Sequence, residues 1–211
     1  MEQDKRNELR GKAARIISVT FHPLLMPIYG LLVIFFAPTL FWYLPLRVKE
    51  ILFFIFLINN VLIPVSLLPF LKYRNLISSW VIEDRSERVV PLLIVSLLYS
   101  VTSFIMFRLQ IPVFVKAYTY SLALLAIVLL IINLSWKISL HSAGAGAITA
   151  VVFVLSIKMG VPLPLQTALA IILSGIVMSA RLLMNSNEPK QVYGGFITGF
   201  IIQGSFMLIF Q

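Results

Sequence analysis

The side chains with most chemical reach stand in residues 136–147, Trp-Lys-Ile-Ser-Leu-His-Ser-Ala-Gly-Ala-Gly-Ala, where Lys137, Ser139 and His141 open into a run of small residues. An ionisable side chain is costly in a bilayer and marks a functional site by default. The competing structural reading is a neutral imidazole bonded to a backbone carbonyl at the membrane interface. A helix starting here would present free amides and the positive end of its dipole, which favour an anion, and Lys137 adds a full positive charge. Phosphate is the anion that such a site suits.

Two further segments carry the same kind of chemistry. Residues 83–91 read Glu-Asp-Arg-Ser-Glu-Arg-Val-Val-Pro, with Arg85 and Arg88 three residues apart on one helical turn. Paired guanidiniums make a fork for phosphate oxygens, with Glu83 and Glu87 expected to hold them. Residues 179–195 bring Arg181, Asn187 and Gln191, then Gly195 and Gly199, a spacing that lets helices approach closely. For Arg181 the plain alternative is a side chain snorkelling to lipid head groups.

The elements that must position these residues follow from composition. The chain has 211 residues, 60% hydrophobic and 12% charged, with a mean hydropathy of +0.98, far above what a soluble surface carries. It reads as an all-α, polytopic transmembrane helix bundle of about seven spans. A polar N-terminal tail, residues 1–22, precedes a helical domain, residues 23–211. The apolar runs are 24–44, 51–71, 91–109, 117–135, 139–158, 161–180 and 192–210, each near the ~20 residues that cross a bilayer. Helices are required because backbone groups at that depth must be satisfied internally, and the runs lack the period-2 alternation of a barrel. Asn59, Asn60, Pro64 and Pro69 interrupt the second run, where a kink is expected.

Counting spans puts the ends of runs two, four and six on one membrane face. The segments 72–90, 136–142 and 181–191 therefore meet there, together with the tail and His22. That face carries twelve of the 17 Lys and Arg residues, and the positive-inside rule makes it cytoplasmic. The net charge of +9 sits outside the apolar runs, so it points to lipid head groups and not to nucleic acid. The expected setting is a multi-pass integral protein of the bacterial inner membrane. With no cysteine in the chain, disulfides and thiolate metal sites are excluded. Carboxylates are too few on this face for a metal-dependent phosphotransferase, so no metal or cofactor is expected. The interruption at Asn59, Asn60 and Pro64 keeps a transporter open as an alternative, without a charged midplane residue to support it.

Taken together, the three segments resemble the type-2 phosphatidic acid phosphatase superfamily of membrane lipid phosphatases over roughly residues 72–210. That family's motifs read Lys-x6-Arg-Pro, Pro-Ser-Gly-His and Ser-Arg-x5-His-x3-Asp, in this order and on one face. Arg88 matches the Arg of the first motif, Ser139 and His141 match the Ser and His of the second, and Arg181 matches the Arg of the third. Asn187 stands where the third motif has its His, and Gln191 where it has its Asp. By the resemblance, Arg88 and Arg181 clamp a phosphate, with Arg85, Lys137 and Ser139 completing the phosphate-binding set. The catalytic positions are His141, which protonates the leaving oxygen, Asn187 at the nucleophile's place, and Gln191. An amide nitrogen cannot attack phosphorus, because its lone pair is delocalised into the carbonyl. His22 shares the face, but beside Pro23 at a helix start it reads as structural.

The implied partner is a membrane lipid or isoprenoid phosphate. The resemblance leaves two functions open: hydrolysis of its head group, or phosphate binding by a relative that has lost catalysis. The oligomeric state is not encoded in any of these features.

Overall fold

The computed structural model describes residues 2–79, 82 and 84–210, with side chains in the first helix from Glu8 onward. No strand occurs among them, and the architecture is the all-α membrane bundle expected from composition. Helix α1 spans Glu2–Thr20 and α2 spans Met26–Phe36. A long apolar rod follows, built from α3 (Leu46–Leu57), a π-helical turn (Ile58–Leu62) and α4 (Ile63–Tyr73). After it come α5 (Val89–Arg108), α6 (Val113–Ser135), α7 (Leu140–Met159), α8 (Pro164–Leu183) and α9 (Pro189–Ile209). The α3–α4 rod and the helices α5 to α9 give six elements long and apolar enough to span a membrane.

Exposed and buried positions are arranged for lipid. Leu97, Phe104, Phe107, Ile172 and Ile197 face outward, while Ser96, Thr102, Ser121, Thr149, Ser174 and Gln203 are buried between helices. Buried hydroxyls bond within the bundle, as Thr149 does to Ser174 at 2.9 Å and Thr102 to Asn60 at 2.7 Å. This is how polar groups are tolerated where no water competes.

The first apolar run, 24–44, does not form a full span. Its helix stops at Phe36 after 11 residues, roughly 16 Å against a hydrocarbon core of about 30 Å. Pro38 accounts for the stop, since it drives the preceding residue out of the α region, and Ala37 is extended at ψ 145°. The chain then makes a 3₁₀ turn over Leu40–Tyr43, capped by the Thr39 hydroxyl. At the interruption of the second run a π-helical turn falls on Asn59 and Asn60, and the Asn60 side chain is buried against α5.

The described part of the polar N-terminal segment packs on the bundle. Helix α1 lies against α8 with Ala14 buried, and Ser18 Oγ donates to Met184 Sδ at 3.3 Å. The closest helix pair is α7 with α9, where the small residues of 143–147 meet the glycines of α9. A methyl group on Gly199 would strike the Ala143 carbonyl, and one on Gly146 the Phe196 carbonyl. Backbone approach this close is open only to glycine.

Candidate functional site

The starts of α5, α7 and α9 meet on one face beside the end of α8, and each fixes one part of a cluster. Before α5, a 3₁₀ turn over Ser86–Arg88 places Arg88 in the protein interior. Its Nε donates to the Ile82 carbonyl at 2.9 Å and its Nη1 to the Ile138 carbonyl at 3.3 Å. Two backbone carbonyls thus set the plane of the guanidinium.

Helix α7 starts at a Ser139 cap, whose Oγ accepts from the Ser142 amide at 3.4 Å and bonds to Ser142 Oγ at 2.9 Å. The Ser139 amide donates to the Gln191 carbonyl at 3.2 Å, tying α7 to the start of α9. His141 sits in the first turn and bonds through Nε2 to the Ser18 carbonyl of α1 at 3.0 Å.

Arg181 ends α8, and Asn185 then takes a left-handed conformation at φ 50°, which Asn tolerates better than most residues. The chain folds back, and Asn187 Oδ1 accepts from Arg181 Nε at 3.2 Å and Nη2 at 3.1 Å. Asn187 Nδ2 donates to Gln191 Oε1 at 3.0 Å, and that oxygen also accepts the Glu188 amide at 3.3 Å. Arg181, Asn187 and Gln191 are all buried, so the network is screened little and holds the guanidinium in place.

These groups surround a cavity of about 700 Å³. Its polar end is lined by Arg15, His22, Arg88, His141, Arg181 and Asn187. The remainder is apolar and runs between α4, α5 and α6, past Leu68, Val95, Leu122, Ala126 and Leu129 to Tyr118. At ~1.5 Å per residue, the stretch of α6 that lines it, from Leu129 to Tyr118, covers roughly 16 Å. Three guanidiniums and the positive ends of α5 and α7 thus border the same cavity as a hydrocarbon-lined chamber.

Of the residues singled out in the sequence, Arg88, His141, Arg181 and Asn187 come together on the cavity. Arg85, Lys137, Ser139 and Gln191 are not among the residues that line it. The Arg85 Nη1 donates to the Leu134 carbonyl at 2.9 Å, because the turn that points Arg88 inward points Arg85 toward the end of α6. The Ser139 hydroxyl is taken up in capping α7, and the Gln191 amide in the start of α9. Glu87 does not hold the arginines; its carboxylate accepts from the Ser78 amide at 3.0 Å and hydroxyl at 3.1 Å. Glu83 lies outside the described residues.

His22 was expected to be structural, yet it stands in the site. Its ring meets that of His141 edge to face with centroids 5.8 Å apart, and its Nδ1 accepts the Leu24 amide at 3.3 Å. Burial at the cavity mouth, and then the positive charge of Arg181, hold its pKa below the ordinary histidine value. His22 is therefore neutral at pH 7. The one sequence signal for this was its shared membrane face with His141; the half-length helix α2 and the docking of α1 bring the two rings together.

No protein-family model, characterised protein or solved structure matches the chain.

Proposed function

We propose that the protein binds the phosphate head group of a membrane lipid or isoprenoid, with the phosphate at the Arg88–Arg181 end of the cavity and the hydrocarbon chain in the apolar chamber, and hydrolyses it at a site of the phosphatidic acid phosphatase type. The observation that carries this is the joining of both chemistries in one cavity. A soluble anion needs no hydrocarbon-lined chamber, and an apolar ligand needs no buried guanidiniums. Arg88 and Arg181 are both fixed before ligand arrives, so charge developing on a transferring phosphoryl group would meet preorganised donors.

A second reading, phosphate binding without turnover, is favoured by Asn187. The position where the family has its nucleophile here anchors Arg181 through its carbonyl oxygen, a structural role that an amide fills well and that needs no chemistry.

The test is a reconstituted protein in lipid nanodiscs, offered phosphatidic acid and isoprenoid mono- and diphosphates, with phosphate release and lipid binding measured on the same samples. Release and binding, both lost in Arg181→Ala and Arg88→Ala, are the expected results. Binding without release selects the second reading. Absence of binding to every member of the panel refutes both.

A further inference from the structure

The two imidazoles at the cavity mouth are held by backbone groups of opposite kind, which assigns the proton on each ring. A carbonyl only accepts, so the contact from His141 Nε2 to the Ser18 oxygen at 3.0 Å places the proton on Nε2. The lone pair of His141 is then on Nδ1, which has no hydrogen-bond partner among the described residues. An amide N–H only donates, so the Leu24 contact at 3.3 Å puts the lone pair of His22 on Nδ1 and its proton on Nε2. One ring thus offers a bare nitrogen and the other an N–H.

We propose that His141 is the phosphoryl acceptor, attacking through Nδ1, with the Ser18 carbonyl of α1 orienting its ring and His22 donating its Nε2–H to a phosphate oxygen. The assignment rests on the reading of the cavity as a phosphate site. It reverses the role that the resemblance implies for His141, and it supplies the nucleophile that Asn187 cannot be. Ser18 acts here as the third group of a nucleophilic constellation does, by fixing tautomer and orientation, but from the backbone.

The step also constrains the substrate. No described residue lining the cavity carries a carboxyl, and a neutral His22 can donate a hydrogen bond but is a poor proton source for an alkoxide. With the described lining, the leaving group best served is one that departs as a stable anion, which a lipid diphosphate provides. The Nδ1 lone pair forms a bond to the terminal phosphorus. The bond from that phosphorus to the bridging oxygen breaks, and its electron pair leaves with the lipid monophosphate. Water then attacks the phosphoryl group, the P–N pair returns to Nδ1, and the proton from water goes to the released phosphate.

The experiment traps the covalent species. The full chain in nanodiscs is mixed with an isoprenoid diphosphate labelled on its terminal phosphate, quenched in alkali, and mapped by peptide mass spectrometry, with ³¹P NMR separating the two ring isomers. Thermal unfolding of each variant checks that it is folded. The expected result is label on His141 at Nδ1, lost in His141→Gln together with a fall in turnover of about 10³-fold or more. Labelling should persist in His22→Gln at a reduced rate, and lipid monophosphates should give no label. Label on His22, or on His141 Nε2, overturns the assignment while leaving the phosphatase reading intact. Phosphate release without label overturns the covalent step alone. Lipid phosphate bound by wild type with neither label nor release overturns the proposal together with hydrolysis, and no binding at all overturns the phosphate site beneath it.

Discussion

Asn187 offers the sharpest perturbation, because it should matter for Arg181 and not for chemistry of its own. Hydrogen bonds to charged groups contribute about 1.5–3 kcal/mol. The two from Arg181 share one oxygen at 3.2 and 3.1 Å, longer than the ~2.7–2.9 Å of strong charge-assisted bonds, which puts the pair near about 1.5 kcal/mol. The bond to Gln191 at 3.0 Å adds about 1 kcal/mol, and Gln191 Oε1 is not orphaned by its loss because it keeps the Glu188 amide. Asn187→Ala should therefore cost about 2–3 kcal/mol, a fall in Tm of roughly 5–10 °C for a chain of this size. Asn187→Asp should separate the roles. A carboxylate still holds the guanidinium but cannot donate to Gln191 Oε1, so about 1 kcal/mol of stability is lost where Ala loses more, while its charge cancels that of Arg181 and should weaken lipid-phosphate binding by about 10- to 100-fold, or roughly 1.4–2.7 kcal/mol. The assay pairs thermal unfolding in detergent with binding of a lipid phosphate in nanodiscs. Two results would refute the reasoning: an Ala variant that melts with wild type, which would mean Asn187 does not hold Arg181, or an Asp variant that binds normally, which would mean Arg181 does not meet the anion.

Three further outcomes follow from the geometry. Arg88→Gln should weaken lipid-phosphate binding by about 10-fold or more, whereas Arg85→Gln, outside the cavity, should change it less than about 2-fold; equal effects in the same nanodisc assay would place the phosphate elsewhere. Gly199→Val should cost at least about 1–3 kcal/mol, because the added side chain meets the Ala143 backbone carbonyl; a variant that unfolds at the wild-type temperature would contradict the close α7–α9 contact. The His22 pKa is lowered in the fold, so the unfolded chain takes up a proton first as pH falls below about 6.5, and stability declines from there toward the lower folded value. Tm measured between pH 8 and pH 5 should fall more steeply for wild type than for His22→Gln, and parallel curves would show that His22 is not buried in neutral form.

The sequence alone determined the membrane bundle, because long apolar runs without period-2 alternation have only one way to satisfy their backbone in lipid. It also determined which segments share a face, since that follows from counting spans, and it showed that Asn187 cannot attack phosphorus. The small residues at 143–147 and the spacing of Gly195 and Gly199 were each legible as features of close helix contact, but their pairing, with Gly199 against Ala143 and Gly195 against Ser139, was decided by the fold. Tertiary structure decided which polar residues within each segment reach the cavity. Arg85 and Arg88 differ by less than one turn, yet only Arg88 lines it, since the rotation of a helix start is set by packing and by the carbonyls of Ile82 and Ile138. Ser139 and Gln191 looked chemical in sequence but serve as helix-end partners, because unsatisfied amides at α7 and α9 compete for the same oxygens. The halt of α2 at Ala37 has a local cause in Pro38, but its consequence is not local. The docking of α1 on α8 carries the Ser18 carbonyl to His141 and seats His22 beside it, a contact across more than a hundred residues that no spacing within the three segments encodes.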